Sequence, residues 1–164
     1  MTLSIRNMMP GDIAGVLELL DEFAEYEKLS EYCTATAERF HNALFGVDAI
    51  VNGLVAHSGD VLAGYALFYP SFSSFRGERG MYLEDIYLKP EFRGGGSGKA
   101  MLQEIARIAA NRGFERIDFQ VLDWNTLAIE FYKKLGAVSN DNETHFKFSG
   151  DAFAALVSWA EVVA

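Results

Sequence analysis

The sequence predicts a mixed α/β (α+β) fold, and three observations support that prediction. Hydrophobic residues alternate in short runs bounded by turn-forming residues, as they do in strands. Longer stretches repeat apolar residues every three to four positions, as amphipathic helices do. Between Met81 and Leu135 the patterns follow one another as strand, glycine loop, helix, strand and helix. The chain has no repeat, low-complexity tract or linker, so residues 1–164 are expected to form a single domain.

The first half of the chain predicts a strand, two helices and a hairpin. Pro10 suits the first turn of a helix, and Phe40 and Leu44 share one face of the second helix. Ser58-Gly59-Asp60 is a tight turn between two strands. The predicted ranges are Ser4–Met8, a helix from Pro10 through Phe23, Thr36–Leu44, Ala49–His57 and Val61–Tyr69.

The second half predicts three strands that alternate with three helices. Gly113 and Gly136 are placed to end the first two of these helices, since glycine readily adopts the left-handed conformation that follows a helix. The predicted ranges are Met81–Leu88, Gly96–Arg112, Arg116–Leu122, Asn125–Leu135, Thr144–Ser149 and Ala152–Val163.

Composition and charge restrict the class of protein. Half of the residues are hydrophobic, no apolar run approaches a membrane-spanning length, and the N-terminus lacks the apolar core of a signal peptide. With Cys33 as the single cysteine, these features predict a soluble cytoplasmic protein. A net charge of -9 argues against a nucleic-acid partner, and the lack of a long apolar run argues against a membrane partner. Residues 1–60 carry three basic and ten acidic residues, whereas residues 89–116 carry six basic and three acidic ones. Randomly mixed surface charge would explain this, and so would an anionic cofactor site that faces a cationic substrate site.

The strongest motif is Arg93-Gly94-Gly95-Gly96-Ser97-Gly98-Lys99, between a predicted strand and helix. Backbone N–H groups at the start of a helix lack internal partners and bind anions, so a pyrophosphate fits this position. A P-loop would need a serine or threonine after the lysine, but Ala100 stands there. A Rossmann motif belongs near the first strand of its unit, which this loop does not follow. A mobile connector is the alternative explanation.

Arg93-x-x-Gly96-x-Gly98 resembles the cofactor motif of the GNAT acetyltransferase superfamily. The longer strings resemble its diamine (spermidine/spermine) N-acetyltransferase family. The resemblance implies a central mixed, mostly antiparallel twisted sheet of six or seven strands flanked by helices. The strings that carry it run in order along most of the chain and are Glu25-Tyr26-Glu27-Lys28-Leu29, Tyr82-Leu83-Glu84-Asp85-Ile86-Tyr87, Pro90-Glu91-Phe92-Arg93-Gly94, Leu122-Asp123-Trp124-Asn125 and Phe131-Tyr132-Lys133-Lys134-Leu135-Gly136-Ala137.

This resemblance implies acetyl-CoA as the cosubstrate. Backbone groups of one strand would pair with the pantetheine arm, the glycine loop would hold the pyrophosphate, and the start of a later helix would contact the cofactor. The residues implied for these three roles are Ile86, Tyr87 and Leu88; Arg93, Gly94, Gly95, Gly96, Ser97, Gly98 and Lys99; and Asn125, Thr126, Leu127 and Ala128.

Two residues are implied to be catalytic. Tyr132 matches the family's tyrosine acid, which protonates the departing thiolate; the alternative is that Phe131 and Tyr132 are core aromatics of a helix. Glu84 matches the carboxylate that binds the substrate ammonium and accepts its proton, directly or through water. Glu84 and Asp85 are adjacent on a strand, so their side chains point to opposite faces unless a bulge breaks the alternation.

Further positions are implied to bind the acceptor amine. Tyr26 and Glu27 would line the amine site, although a solvated helix end explains them equally well. Asp85 is either a substrate contact or an exposed strand residue. The remaining substrate candidates are Asp118, Phe119 and Gln120.

Some positions depart from the family pattern, and these leave the acceptor open. Ser97 replaces a branched aliphatic residue, Thr144-His145 stands where relatives often have Gly-Trp, and Glu143 is a candidate acidic contact. The primary expectation is acetylation of a diamine or polyamine-like primary amine. The alternatives are a lysine-like amino acid analogue or other aminated metabolite, and a non-catalytic acyl-CoA-binding regulator.

No metal site is expected, because His41, His57 and His145 show no ligand spacing. The resemblance also implies a homodimer. The last helix has apolar residues that need burial, namely Phe153, Leu156, Val157 and Trp159.

Overall fold

A computed structural model describes residues 3–140 and 142–163 of the chain. The chain divides into two units, Met1–Gln120 and Val121–Ala164, which are described in turn. The first unit contains five strands and three α-helices: β1 (Ser4–Asn7), α1 (Ile13–Tyr26), α2 (Ala37–Phe45), β2 (Asn52–Ser58), β3 (Val61–Ser73), β4 (Glu78–Leu88), α3 (Ser97–Asn111) and β5 (Ile117–Asp118).

The five strands form one sheet in the order β1-β2-β3-β4-β5. Neighbouring strands from β1 to β4 are antiparallel, and β4 pairs with β5 in parallel. The mixed α/β fold with a mostly antiparallel mixed sheet is thereby confirmed. Two-residue alternation sends the apolar side chains of each strand to both faces, so each face needs its own covering helices.

The two faces of the sheet are covered by different helices. On one face, Met101, Ile105 and Ala109 of α3 pack with strand residues such as Phe68 and Leu83. On the other face, Val16 and Leu19 belong to the cluster under α1, with partly buried side chains of α2 packed against it. Phe40 and Leu44 both belong to this second group, as their helical spacing predicted.

Several helix ends lie where the sequence placed them. Thr36 precedes α2, and its hydroxyl accepts a hydrogen bond from the Arg39 amide at 3.2 Å. Gly113 follows α3 with φ of 75°, and the next amide, of Phe114, donates to the Ala109 carbonyl at 2.9 Å. This pattern is the Schellman motif that favours glycine after a helix.

The second unit contains α4 (Thr126–Lys134) and α5 (Gly150–Val163). Gly136 ends α4 with φ of 95°, as predicted. The predicted strand over Thr144–Ser149 is wrong, because that segment has no regular secondary structure and Phe146 and Phe148 are exposed. Alternation alone does not make a strand; a strand also needs a neighbouring strand to accept and donate its backbone hydrogen bonds.

Two further expectations about the sheet are corrected. The strand predicted over Arg116–Leu122 is limited to Ile117–Asp118, whose recorded partners are Met81 and Tyr82. The described residues contain five strands, fewer than the six or seven implied by the resemblance. On α5, Phe153, Leu156 and Val157 are exposed, whereas Trp159 lies outside the residues whose side chains are described.

Candidate functional site

A β-bulge in β4 shapes the centre of the candidate site. Leu67 of β3 lies opposite Asp85 and the next residue, Phe68, lies opposite Leu83, so Glu84 is the extra residue on β4. The bulge breaks the strand alternation at Glu84, which is the condition under which both carboxylates can serve one site.

Two tyrosines of β3 hold these carboxylates. The Tyr69 hydroxyl donates to Oε2 of Glu84 at 3.0 Å, and the Tyr65 hydroxyl donates to Oδ2 of Asp85 at 3.3 Å. Tyr65 and Tyr69 are four residues apart on a strand and therefore project from the same face of the sheet. Glu84 and Asp85 consequently lie on that face too, the one covered by α1 and α2.

Burial and neighbouring charge change the acidity of two carboxyl groups in this region, those of Asp85 and Glu27. Burial, and then the charge of Glu84, raises the pKa of Asp85 to about 6, although the hydrogen bond from Tyr65 opposes this rise. Burial also raises the pKa of Glu27, and the charge of Glu27 contributes to the raised pKa of Asp85. Burial and the bond to Glu84 raise the pKa of Tyr69 to about 12, so this hydroxyl remains a donor.

Arg93 connects the carboxyl end of β4 to the end of α1. Its Nε donates to the carbonyl oxygen of Leu88 at 2.7 Å. Its guanidinium carbon lies 5.2 Å from the ring centre of Tyr26 and 5.4 Å from that of Tyr87. These are cation–π distances. A predicted cofactor residue and a predicted substrate residue, Arg93 and Tyr26, are therefore in direct contact.

A second set of contacts fixes Tyr87 from the helix side. Its hydroxyl donates to Oε2 of Glu22 at 3.2 Å, and the other oxygen of Glu22 pairs with Nζ of Lys89 at 3.2 Å. The ring of Phe23 lies 5.4 Å from that of Tyr87. Glu22 of α1 is thus bonded to Tyr87 near the end of β4 and to Lys89 just after it.

The glycine loop has the backbone of an anion site. Gly94, Gly95 and Gly96 have φ values of 79°, 55° and 88°, a conformation that side chains with a Cβ rarely adopt. No protein atom lies within 4 Å of where a Cβ would stand on any of them, so these glycines face open space. The first turn of α3 follows directly, with Ser97 buried and the amides of Gly98 and Lys99 lacking an intrahelical acceptor.

Beyond the bulge, β4 has an edge that can accept an extended ligand. Its pairing with β5 is recorded at Met81 and Tyr82, whereas its pairing with β3 continues to Leu88. The Lys89 amide donates to the Ala63 carbonyl of β3, so the carbonyl of Leu88, across the same trans peptide, points away from β3. A Cβ on Gly64 would collide with the carbonyl oxygen of Tyr87, which therefore faces β3.

These observations test whether the chain could hold the diphosphate and arm of a coenzyme A thioester. The strand edge at the end of β4, the three left-handed glycines and the N-terminus of a 15-residue helix follow one another along the chain, in the order that such a ligand needs. On this edge the Leu88 carbonyl already accepts a hydrogen bond from Arg93. The residues present fit the group. No cluster of metal-ligating side chains occurs among the residues that the structure describes.

Two cavities adjoin α1 and α2. The first, of about 400 Å³, is acidic and is lined on α1 by Glu18, Asp21, Glu22 and Glu25, with Ser30 and Cys33 opposite. The second, of about 310 Å³, reaches Glu84 and Tyr69 and is otherwise apolar. Its other walls come from Phe40, Ala43, Leu44, Val51 and Leu67.

The substrate candidates Asp118, Phe119 and Gln120 lie in and just after β5. Arg116 donates to both carboxylate oxygens of Asp118, at 2.7 and 2.8 Å, so this carboxylate is already ion-paired. Phe119 and Gln120 lie beyond the end of β5, and both are outside regular secondary structure. Their role as substrate contacts stays a prediction.

The second unit contains the other predicted cofactor and catalytic residues. Asn125 is buried and caps α4, its side-chain oxygen accepting from the Ala128 amide at 3.3 Å. Thr126 begins α4, and Leu127 is exposed. Tyr132 is half-buried in α4, and its ring centre lies 5.2 Å from that of Phe131. Glu143 accepts a hydrogen bond from the Asn140 amide group at 2.7 Å.

Comparison with known proteins decides the family. The model of the Acetyltransferase (GNAT) family matches residues 14–137, about three quarters of the chain. A thialysine N-epsilon-acetyltransferase from Bos taurus is 38% identical and is aligned over 93% of this chain and 95% of its own. The chain belongs to the GNAT acetyltransferase family.

One further curated relative and one solved structure are also similar to the chain. Spermidine/spermine N(1)-acetyltransferase-like protein 1 from Homo sapiens is 30% identical over 96% of this chain, which corresponds to 24% of that longer protein. An integron cassette protein from the mobile metagenome of V. cholerae has the same fold, with a TM-score of 0.78, 22% identity and coverage of 96% and 98% of the two chains. The resemblance predicted from the motifs is confirmed, and the protein is an acetyl-transferring enzyme rather than a non-catalytic regulator.

The sequence analysis did not single out two residues of the candidate site, Tyr65 and Tyr69, which bond to Asp85 and Glu84. Both lie in the predicted strand Val61–Tyr69, whose apolar pattern indicates only a hairpin partner. The role of their hydroxyls follows from the pairing of β3 with β4, which the sequence pattern does not contain. The spacing Tyr65-x-x-x-Tyr69 places both on one face of a strand, and this spacing was the available signal.

None of the helices among residues 3–140 and 142–163 has the length and apolarity that crossing a bilayer requires.

Proposed function

We propose that this enzyme transfers the acetyl group of acetyl-CoA to the terminal primary amine of a small cationic acceptor, a lysine-like amino acid. The supporting observation is the bulge at Glu84, which brings Glu84 and Asp85 to one sheet face, with Glu27 close enough to perturb Asp85. Several carboxylates around one position attract a cation. The thialysine acetyltransferase, similar over nearly the full length of both chains, favours the lysine-like acceptor over the diamine expected from the sequence.

The carboxylates would bind the amine and remove its proton. An alkylammonium has a pKa near that of lysine, about 10, so it must lose a proton before its nitrogen can attack. We assign this step to Glu84, which is exposed, oriented by Tyr69, and able to take the proton directly or through water. Asp85 is mostly ionised at neutral pH and, with Glu27, would hold the ammonium by charge.

The glycine loop and the strand edge would hold the cosubstrate. Acetyl-CoA, when bound, supplies the thioester carbon that the amine nitrogen attacks while the carbon–sulfur bond breaks. The amides of residues 94–99 would bind the pyrophosphate, and backbone groups of Ile86 and Leu88 would pair with the arm. One of these amides would also polarise the thioester carbonyl. Tyr87 would contribute through Arg93 instead, since its carbonyl faces β3.

The second unit would complete the reaction. We propose that Tyr132 gives its hydroxyl proton to the thiolate, and that Asn125, Thr126, Leu127 and Ala128 contact the cosubstrate. This proposal is supported by their match to the family motif, and the GNAT family model spans the boundary between the two units. On this basis residues 1–164 would form one catalytic domain. A homodimer and a cytoplasmic location stay predictions.

A diamine or polyamine is the second candidate acceptor. The cavity with four α1 carboxylates, Glu18, Asp21, Glu22 and Glu25, favours a ligand with more than one positive charge. The relative named for spermidine and spermine agrees with this candidate.

Thiol release from acetyl-CoA, measured with thialysine, lysine, ornithine, 1,5-diaminopentane and spermidine, tests the proposal. We expect turnover with the amino acids at a higher kcat/KM than with the polyamines. Glu84→Gln should lower kcat by about 10²-fold or more, as for loss of a general base. Glu78→Gln, at an exposed position of the same strand, is the matched control and should keep wild-type kcat. Absence of thiol release with every amine would overturn the proposal.

A further inference from the structure

The cavity beside Glu84 is lined mainly by apolar side chains. Phe40 and Leu44 of α2 form one side, Leu67 of β3 forms another, and Val51 precedes β2. Polar groups enter at one place, where Tyr69 donates to the carboxylate of Glu84. At about 310 Å³ the cavity is at the lower end of the range for small-molecule sites, roughly 300–1,000 Å³.

Such a cavity selects a ligand with two ends. A positive group is favoured at Glu84, because this carboxylate is exposed to the cavity and its neighbour Asp85 adds negative charge. The lining residues named beyond Tyr69 and Glu84 carry no charge and no side-chain hydrogen-bonding group. A second ammonium or a carboxylate buried there would lose its hydration without a partner, which is costly. An uncharged hydrocarbon or thioether chain would instead gain from leaving water.

From this arrangement we propose that the cavity is the acceptor's stem pocket. The apolar stem next to the reacting amine would lie against Phe40, Leu44, Val51 and Leu67, with the amine at Glu84. Any second charge of the acceptor would remain outside the pocket. This inference rests on the proposed function, and it makes residues of α2 specificity-determining.

The pocket separates acceptors by the length of the stem between the reacting amine and the next charge. A lysine-like amino acid has its charged end several atoms from the terminal amine, so the intervening stem can be buried while the charged end stays solvated. A shorter diamine such as 1,3-diaminopropane would have to bring its second ammonium into the apolar part, whereas 1,5-diaminopentane has the same spacing between its nitrogens as lysine. The acidic cavity on α1 would then bind cations but would not select the stem.

Primary amines of increasing length test the stem pocket. The kcat/KM for ethylamine, butylamine and hexylamine should rise by about two- to fourfold per methylene, as expected for burial of each CH₂ at up to about 0.8 kcal/mol. Butylamine and 1,3-diaminopropane have the same number of non-hydrogen atoms, and butylamine should be the better acceptor by about tenfold or more, because the second ammonium of this short diamine would lie inside the pocket.

Two substitutions in α2 provide a second test of the stem pocket. Ala43→Leu narrows the pocket with a residue that favours helices, and should reduce the hexylamine-to-ethylamine ratio of kcat/KM by about fivefold or more. Asn42→Leu, exposed on α2 and not part of the pocket lining, should leave that ratio within about twofold of wild type. The ratio is taken within each protein, so a general loss of activity cancels.

The outcomes separate this inference from the proposed function. Turnover that does not depend on chain length, or an unchanged ratio in Ala43→Leu whose thermal unfolding matches wild type, would overturn the stem pocket while leaving acetyl transfer intact. Higher activity with 1,3-diaminopropane than with butylamine would also overturn it. No thiol release with any amine would instead count against the proposed function.

Discussion

The Tyr65 hydroxyl donates a 3.3 Å hydrogen bond to the carboxylate of Asp85, and this bond opposes the effect of burial on the acid. Burial and the charge of Glu84 raise the pKa of Asp85 to about 6, while the bond from Tyr65 stabilises the ionised form and lowers it. The pair therefore sets the pH at which the carboxylate cluster gains its full negative charge.

Tyr65→Phe should move the acidic limb of activity to higher pH. Without the hydroxyl, the Asp85 carboxylate loses a donor, its pKa rises further, and the carboxylate cluster stays partly neutral at a higher pH. The measurement is kcat/KM for the amine between pH 5 and pH 9. Tyr82→Phe, on the neighbouring strand and without a recorded bond to Asp85, is the control. A limb that stays in place in Tyr65→Phe would show that Asp85 does not govern it.

Asp85→Asn should stabilise the fold at neutral pH while weakening catalysis. Because the folded-state pKa of Asp85 lies above its ordinary value of 3.8, ionisation costs folding free energy, and this cost grows as pH rises from about 4 to about 6. Asparagine carries no charge at any pH. The free energy of unfolding of the variant, relative to wild type, should therefore increase by about 1–3 kcal/mol between pH 4 and pH 8. Denaturant unfolding at the two pH values measures it; an equal difference at both would contradict the raised pKa.

The site's residue types could be predicted from the sequence, but their spatial grouping could not. Three consecutive glycines, Gly94, Gly95 and Gly96, favour a left-handed loop because they lack a Cβ, and the loop lies where it was predicted. The bulge at Glu84 depends on how β4 pairs with β3, whose partner residues lie 15 to 18 positions earlier in the chain. Local alternation holds no information about that pairing.

The contacts of Arg93 were hidden for the same reason. As a residue of the glycine motif it was implied to help hold the pyrophosphate. In the structure its planar guanidinium lies near two aromatic rings and its Nε is bonded to a strand carbonyl. The strand predicted over Thr144–Ser149 is wrong for a related reason. Its residues alternate as in a strand, but among the described residues this segment pairs with no strand.

Arg93→Lys should impair binding of both substrates. Lysine keeps the positive charge but lacks the Nε donor to Leu88 and the planar group that lies over Tyr26 and Tyr87. We expect the KM values for acetyl-CoA and for the amine to rise together, with a loss of about 1–2 kcal/mol in stability. Steady-state kinetics with each substrate varied in turn measure the change. A variant in which the KM for acetyl-CoA alone rises would indicate that Arg93 acts only on the cosubstrate.

Gly95→Ala tests the loop against a matched glycine. Gly95 and Gly77 have similar φ values, 55° and 65°, and a Cβ on either meets no protein atom within 4 Å. Alanine at either position should cost about 1–2 kcal/mol of stability through backbone strain. Gly77 lies in the turn between β3 and β4, so only Gly95→Ala should also weaken acetyl-CoA binding, by about tenfold. Calorimetric titration with acetyl-CoA measures this, and equal affinities for the two variants would remove the loop from the cosubstrate site.

Tyr132→Phe tests the proposed acid by separating chemistry from binding. The phenyl ring keeps the contact with Phe131 in α4, so the helix should be retained, while the proton donor to the departing thiolate is lost. We expect kcat to fall by about 10²-fold with little change in the affinity for acetyl-CoA, since a proton needed only as the carbon–sulfur bond breaks does not contribute to ground-state binding. A thioester with a more acidic thiol should recover part of the lost rate in the variant, because its thiolate departs with less need of a proton. Phe131→Leu, which alters the ring contact but leaves the hydroxyl, should not show this recovery. Wild-type kcat in Tyr132→Phe would exclude the tyrosine as the acid.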